Sequence, residues 1–361
     1  MGTQITMITR VSEAAGEWFL ESGIQEPSGG VARYYHSDRR QNAALTTEIT
    51  AYCVSALASL HKISDEPRYL DAAMKGALYL VRAWDEKCSA MPFECDSQGT
   101  KHSYFFDDGI IVRALLTMWR ERGGGEFLST AVKVGESMAE DFADGRDFCP
   151  ILTLPGKSPL KYEPKRWSRS PGCYQLKAAL GWYELWQATK EARYLALYRQ
   201  MLESSLASHA SFLPGSDADI PVMDRLHAYS YFLEGLLPSL DDPRCAQALV
   251  SGIERTDGYI YKIGPEFLRS DVLAQLLRVR LFAEQFRVAP LDEEAAQREL
   301  ALMREFQSSD PNARLKGGFW FGRKHGEMLP FMNPVSTAFC YQALDMWVQR
   351  GTREWKWENL I

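Results

Sequence analysis

Two adjacent acids, Asp107 and Asp108, sit in the stretch from Ser103 to Trp119, behind Tyr104, Phe105 and Phe106 and ahead of a run with almost no polar face until Arg120. Paired carboxylates in apolar surroundings are acid–base material. Adjacent acids repel, so one gains if its partner stays protonated, and that proton is then available for transfer. Other segments offer groups of the same kind. They are Glu48 with Thr47 and Thr50, His102 and Tyr104, Tyr174 behind Arg166, Trp167 and Arg169, and His227 with Tyr229. Arg269 and Asp271 follow, and the last set is Trp320, Arg323, His325, Glu327 and Asn333. Arginines in such a set can hold a substrate carboxylate through two parallel bonds, and tryptophans can offer flat faces for stacking.

Each has a plainer alternative. Asp107, Asp271 and Asn333 are favoured helix caps, because their side chains accept the orphan N–H groups of a first turn. Glu48 fits a capping arrangement with Leu45 or Thr46. His227 lies on the apolar run Leu226 to Leu237, where an imidazole can be a neutral, hydrogen-bonded core residue. Tyr229 and Tyr231 can pack, and Trp320 can plug a loop.

The elements that must position these residues are helices. Apolar periodicity predicts helices over about 6–22, 46–60, 68–82, 107–120, 126–142, 172–189, 193–206, 225–237, 243–253, 270–285, 293–306 and 333–348, with strand signals nearly absent. Segments buried all round alternate with amphipathic ones. The buried set starts near 46, 107, 172, 225, 270 and 333. A helix pair recurring at roughly 45–65 residues signals a repeat architecture, since each pair leaves an apolar face that only its neighbours cover. The expectation is an all-α (α/α)6 barrel of six helical hairpins, the N-terminal helix closing the outer ring, as a single domain over 1–361. In such a barrel the inner helices run parallel, so their starts, and the groups named above, share one rim. Converging positive dipole ends there favour anions or ionised acids.

Composition narrows the classes. Hydrophobic content of 46%, charged content of 24% and a net charge of −6 over 361 residues describe an ordinary globular chain. The slight acidity argues against a nucleic-acid partner. No window approaches the roughly 18 apolar residues of a membrane span, and the N-terminus shows no signal peptide, so a cytoplasmic location and no membrane partner are expected. The seven cysteines are odd in number and scattered, as reduced core thiols would be. Cys88 and Cys95 fit no common zinc spacing, so neither metal nor cofactor is expected. Asp217-Ala-Asp219 is no terpene-cyclase acid motif.

Three stretches carry a resemblance. The segments Thr46 to Tyr52, Phe106 to Leu116 and Leu226 to Leu237 are similar to inner-helix motifs of six-hairpin proteins that often accompany bacterial polysaccharide genes. More broadly the chain resembles the six-hairpin glycosidase superfamily, which includes unsaturated glucuronyl hydrolases and lies near the N-acylglucosamine 2-epimerases and uronyl epimerases. The resemblance implies an (α/α)6 fold and a sugar substrate, without a catalytic assignment. The expected function is a glycoside hydrolase-like enzyme acting on a uronate-containing or polysaccharide-derived oligosaccharide. Asp107 or Asp108 would be acid or base, with Glu48, Asp271 or Glu327 as partner. His227 and Tyr229 would orient the ring, Arg269 or Arg323 would hold a carboxylate, and Trp167 and Trp320 would stack. Tyr104, Tyr174 and Asn333 complete the rim. Two alternatives stand beside it. One is an epimerase or lyase built on His227 with Tyr174 or Tyr229, and the other is a non-catalytic glycan-binding or scaffold protein. The oligomeric state has no signature in the sequence.

Overall fold

The computed structural model describes residues 2–95, 99–163 and 166–361, with side chains from residue 11 onward in the first helix. Twelve α-helices are present among the described residues. They are α1 (Gly2–Glu21), α2 (Thr47–Ser64), α3 (Pro67–Ala83), α4 (Phe105–Arg122), α5 (Gly125–Glu140) and α6 (Gln175–Thr189), then α7 (Ala192–Phe212), α8 (Asp219–Gly235), α9 (Pro243–Ile263), α10 (Ser270–Gln285), α11 (Glu293–Arg304) and α12 (Pro334–Gln349). The chain divides into two compact units, one of Gln25–Arg33 and Ala44–Phe212, the other of Met1–Ile24, Tyr34–Ala43 and Leu213–Ile361. They are called here the 44–212 unit and the 213–361 unit.

In the 44–212 unit, α2 pairs with α3, α4 with α5 and α6 with α7, while α4 packs against both α2 and α6. The three first members are buried along most of their length, and α3 and α5 bury one face. Small residues let α4 and α6 approach closely. A Cβ added to Gly109 would lie 2.4 Å from the Cα of Ala178, and one at Gly181 would lie 3.0 Å from the Gly109 carbonyl. The same two helices share a buried ion triad: Arg113 and Arg120 each donate to Glu184 at 2.7 Å. Glu184 has no exposed surface, so its two guanidinium partners must offset the cost of burying the charge.

The 213–361 unit repeats the pattern. Here α8 pairs with α9 and α10 with α11, α10 packs against α8 and α12, and α1 packs on α12. That last contact is the pairing expected of the N-terminal helix. Arg278 of α10, fully buried, is ion-paired to Glu234 of α8 and donates to Gln342 of α12 at 3.0 Å, so one guanidinium ties three helices together.

Several boundaries differ from expectation. Helix α8 begins at Asp219 rather than near 225, because Pro221 falls in its first turn, where the missing N–H costs nothing. Helix α4 begins at Phe105 with Tyr104 as its cap residue, which puts Asp107 and Asp108 inside the first turn and rules out Asp107 as the cap.

Strands are present where almost none were expected, but the thirteen among the described residues are only two or three residues long, too short to show alternation. They have a positional role. Leu45–Thr46 runs directly into α2, His102–Tyr104 into α4 and Phe267–Arg269 into α10, and Phe331–Met332 stops one residue short of α12. Each is paired antiparallel: Leu45–Thr46 with Val31–Ala32, His102–Tyr104 with Ile151–Thr153, Phe267–Arg269 with Gly322–Lys324 and Phe331–Met332 with Tyr35–His36. A short ladder therefore fixes the starting point of four inner helices.

Candidate functional site

The 44–212 unit brings together three helix starts. Glu48 is the second residue of α2, Asp107 the third of α4 and Lys177 the third of α6. Thr46 caps α2 itself, its hydroxyl accepting from the Ile49 N–H at 3.4 Å, so Glu48 is not needed as a cap. Glu48 keeps some surface yet is densely surrounded by protein. Burial raises its pKa to about 7, against the opposing pull of Arg33 and Lys177. Asp107 is pushed well above the ordinary carboxylate range, first by burial, then by the Glu48 charge and after it by Asp108. Its Oδ2 is buried with no hydrogen-bond partner among the described residues.

Asp108 faces elsewhere. Its Oδ2 accepts from the Ser103 hydroxyl at 3.3 Å, and after burial and that bond its charged neighbours are Asp141 and Lys157. Successive helical residues point about 100° apart, so the acid next to Asp107 in sequence is the less important of its two carboxylate neighbours. The pairing that matters is Glu48 with Asp107.

Two tyrosines, Tyr104 and Tyr174, feel the Asp107 charge. The Tyr104 ring lies 5.2 Å from that of Phe93, over which Arg33 sits at 5.3 Å. The Tyr104 phenol is raised by burial and by Asp107. Tyr174 is almost fully buried, donates its hydroxyl to the Ser170 carbonyl at 3.1 Å, and meets Trp167 edge-on at 5.1 Å and Phe106 at 6.2 Å. Burial raises its phenol as well. Lys177 has no exposed surface and lies over the Tyr52 ring at 5.6 Å.

The 213–361 unit holds a second cluster. The Arg269 fork binds Asp271 twice, Nε to Oδ1 at 3.0 Å and Nη2 to Oδ2 at 2.6 Å, and Nη1 donates to Asp224 at 2.8 Å. Burial works against the Asp271 charge, but Arg269 and then His227 hold it below the usual carboxylate range. His227 Nδ1 lies 2.8 Å from Gln275 Oε1 and 3.4 Å from Asp271 Oδ2, and the ring meets Tyr231 edge-on at 4.5 Å. Burial and then Arg269 lower its pKa to about 4, so it is neutral at pH 7. Trp320 borders the cluster through its carbonyl, which accepts from the Ser270 hydroxyl at 2.7 Å.

Other expected residues fall outside these clusters. Tyr229 turns toward α9, where a Cβ on Gly252 would come within 3.3 Å of its ring, so it does not stand with His227 as a ring-orienting partner. The reason is helical spacing: residues two apart lie on different faces, and Tyr231, four residues on, is the neighbour of His227. Arg323 is paired with Glu305 at 2.7 Å and His325 with Glu266 at 3.1 Å, and Glu327 is exposed. Asn333 is the cap of α12, its Oδ1 accepting from the Ser336 N–H at 3.0 Å. Arg269 spends its bidentate edge on Asp271 and so does not offer it to a ligand. The seven cysteines are free; Cys88 and Cys95 are half-buried rather than core.

Sequence reasoning passed over Arg33, Lys177, Asp224 and Gln275, and took Tyr231 only as a packing residue. The signal for three of them was register: Asp224, Gln275 and Tyr231 stand three or four positions from His227 or Asp271. Lys177 is a cation at the positive end of an apolar helix, an unfavourable place that marks it out. Arg33 lies in a loop with no periodic signal. A cleft of about 960 Å³ in the 213–361 unit, lined by Glu284, Trp347, Arg350 and Trp355 among others, lies at the C-terminal ends of α10 and α12 and contains none of the candidate residues.

The chain has an (α/α)6-barrel fold. It is similar along 96% of its length to 98% of cellobiose 2-epimerase from Spirochaeta thermophila, with a TM-score of 0.71 at 13% identity. Cellobiose 2-epimerase from Bacillus thermoamylovorans is covered completely by 96% of this chain, with a TM-score of 0.72 at 10% identity. A mutant unsaturated glucuronyl hydrolase from Streptococcus agalactiae matches 98% of this chain over 92% of its own, with a TM-score of 0.64 at 9% identity. No protein-family model and no curated protein matches the sequence. No helix among the described residues is long and apolar enough to cross a membrane.

Proposed function

We propose that this protein is a carbohydrate-active enzyme in which Glu48 and Asp107 act as an acid–base pair on an oligosaccharide. The observation that carries the reading is the placement of two densely surrounded carboxylates at the starts of α2 and α4 beside Arg33 and Lys177, with Asp107 Oδ2 buried and without a hydrogen-bond partner among the described residues; burial raises both, Glu48 to about 7 and Asp107 further through the Glu48 charge. Two carboxylates in this state hold a transferable proton at neutral pH. Glycosidic hydrolysis needs an acid to protonate the leaving oxygen and a second carboxylate to activate water or attack carbon. Arg33 and Lys177 give the surroundings a positive bias that favours a uronate-bearing substrate. Tyr104, Phe93 and Trp167 supply aromatic surface for sugar rings. The likeness to solved sugar epimerases and a glucuronyl hydrolase supports a sugar ligand for this chain.

The test is sugar release from a panel of neutral and uronate-containing oligosaccharides by the wild-type protein, Glu48→Gln and Asp107→Asn. The reading requires release by the wild type and a loss of at least about 100-fold in each variant, the scale of a lost acid–base group. Release that survives in both variants would remove the pair from the chemistry.

A second reading, epimerisation or elimination, is favoured by His227. A neutral imidazole beside an ionised carboxylate is equipped to take a proton from carbon next to a carbonyl or carboxylate. Its measurement is incorporation of solvent deuterium at the sugar carbon, which His227→Ala should abolish.

A further inference from the structure

We infer that Gln275 is a positioning residue that fixes His227 as its Nδ1–H tautomer and so makes Nε2 the proton-accepting nitrogen of the 213–361 unit. The argument is one of donors and acceptors. Gln275 presents Oε1 to His227 Nδ1 at 2.8 Å and Nε2 to the His227 carbonyl at 3.5 Å. A carbonyl only accepts, so the amide nitrogen must face the His227 backbone and the amide oxygen must face the ring. That oxygen also only accepts, and so does Asp271 Oδ2, 3.4 Å from the same Nδ1. Two acceptors on one nitrogen require that it carry the proton.

In the neutral ring the lone pair then resides on Nε2, which has no hydrogen-bond partner among the described residues, while the side chain keeps 11% of its surface. Gln275 is itself fully buried, one helical turn beyond Asp271, so water cannot replace its amide. Tyr231 packs against the ring and restrains its plane. The charged groups acting on the imidazole are Arg269, Asp271 and Glu234. When Nε2 takes a proton from a substrate C–H, the electron pair stays on the carbon and the imidazolium keeps its Nδ1–H on Gln275 beside the Asp271 carboxylate. The catalytic meaning rests on the second reading above; the tautomer does not.

The experiment is ¹⁵N NMR of the full chain labelled at histidine, with the His227 signals assigned by their loss in His227→Asn. The expected result is a protonated, pyrrole-like Nδ1 and an unprotonated, pyridine-like Nε2 at pH 7. A protonated Nε2 would overturn the assignment without touching the hydrolase reading. Gln275→Leu should mix the tautomers, and Gln275→Glu, which keeps an acceptor, should restore the Nδ1–H form. A pure Nδ1–H form in Gln275→Leu would show that Asp271 alone suffices and would overturn the role of Gln275. If deuterium exchange is measurable, Gln275→Leu should lower kcat in proportion to the His227 that has left the Nδ1–H form, about twofold at equal mixing, with KM little changed. Nδ1–H together with exchange unaffected by His227→Ala would sink the second reading and leave the tautomer assignment standing.

Discussion

Arg269 grips Asp271 through two parallel N–H···O bonds of 3.0 and 2.6 Å, inside a helix start where both residues are buried. Breaking such a pair leaves a charge without its partner, which costs on the order of 3–5 kcal/mol. Arg269→Ala should therefore lower the unfolding free energy in denaturant by about that much. It should also move the His227 midpoint up from about 4, because the Arg269 charge is, after burial, what holds it down. A histidine midpoint that stays near 4 in the variant would assign the whole shift to burial.

The Glu48 carboxyl ties stability to pH. Its folded pKa, about 7, lies above the ordinary 4.5, so the folded state binds the proton more tightly than the unfolded state. The associated stability is fully present below pH 4.5 and is lost as pH rises toward 7. Glu48→Gln removes this loss, so at pH 8 the variant should gain on the order of 2–3 kcal/mol relative to its standing at pH 4. Denaturant titrations at the two pH values measure it. Equal differences at both would mean that Glu48 titrates normally.

His227 gives a dependence of opposite sign. Its folded pKa of about 4 lies below the ordinary 6.5, so the stability it contributes is present above 6.5 and is lost as pH falls to 4. His227→Gln should flatten the acid side of the stability profile between those values. A profile of unchanged slope in the variant would contradict this.

Gly109 sets the distance between α4 and α6. A methyl group there would meet the Ala178 Cα and carbonyl oxygen at 2.4 Å, and backbone cannot step aside as a flexible side chain can. Gly109→Ala should cost about 1–3 kcal/mol of stability, the usual range for overpacking, despite the better helix propensity of alanine. Thermal unfolding of the variant checks it; a raised Tm would show that the two helices separate freely.

Much of the architecture was legible because burial writes itself into helix periodicity. The segments from Ile110 to Leu116 and from Leu226 to Leu237 are mostly apolar and buried all round, whereas the partner helices α3 and α5 bury one side only. What the sequence hid was local. The strands that steer the helix starts span two or three residues and carry no period. Asp107 and Asp108 looked like a pair because they are adjacent, but a helix turns adjacent residues apart, and the partner of Asp107 comes from α2. In the second cluster, His227, Asp271 and Arg269 were visible, while Gln275 was not, since a buried glutamine on an apolar helix shows its meaning only when the ring it faces is in place.

The measurement that tests the central claim most directly is a carboxyl ¹³C NMR titration of the wild-type protein, with the Glu48 signal assigned through Glu48→Gln. The prediction is a Glu48 carboxyl that titrates near pH 7 and an Asp107 carboxyl whose midpoint falls when Glu48 is replaced. A Glu48 carboxyl titrating near 4.5, with Asp107 indifferent to the substitution, would contradict the account.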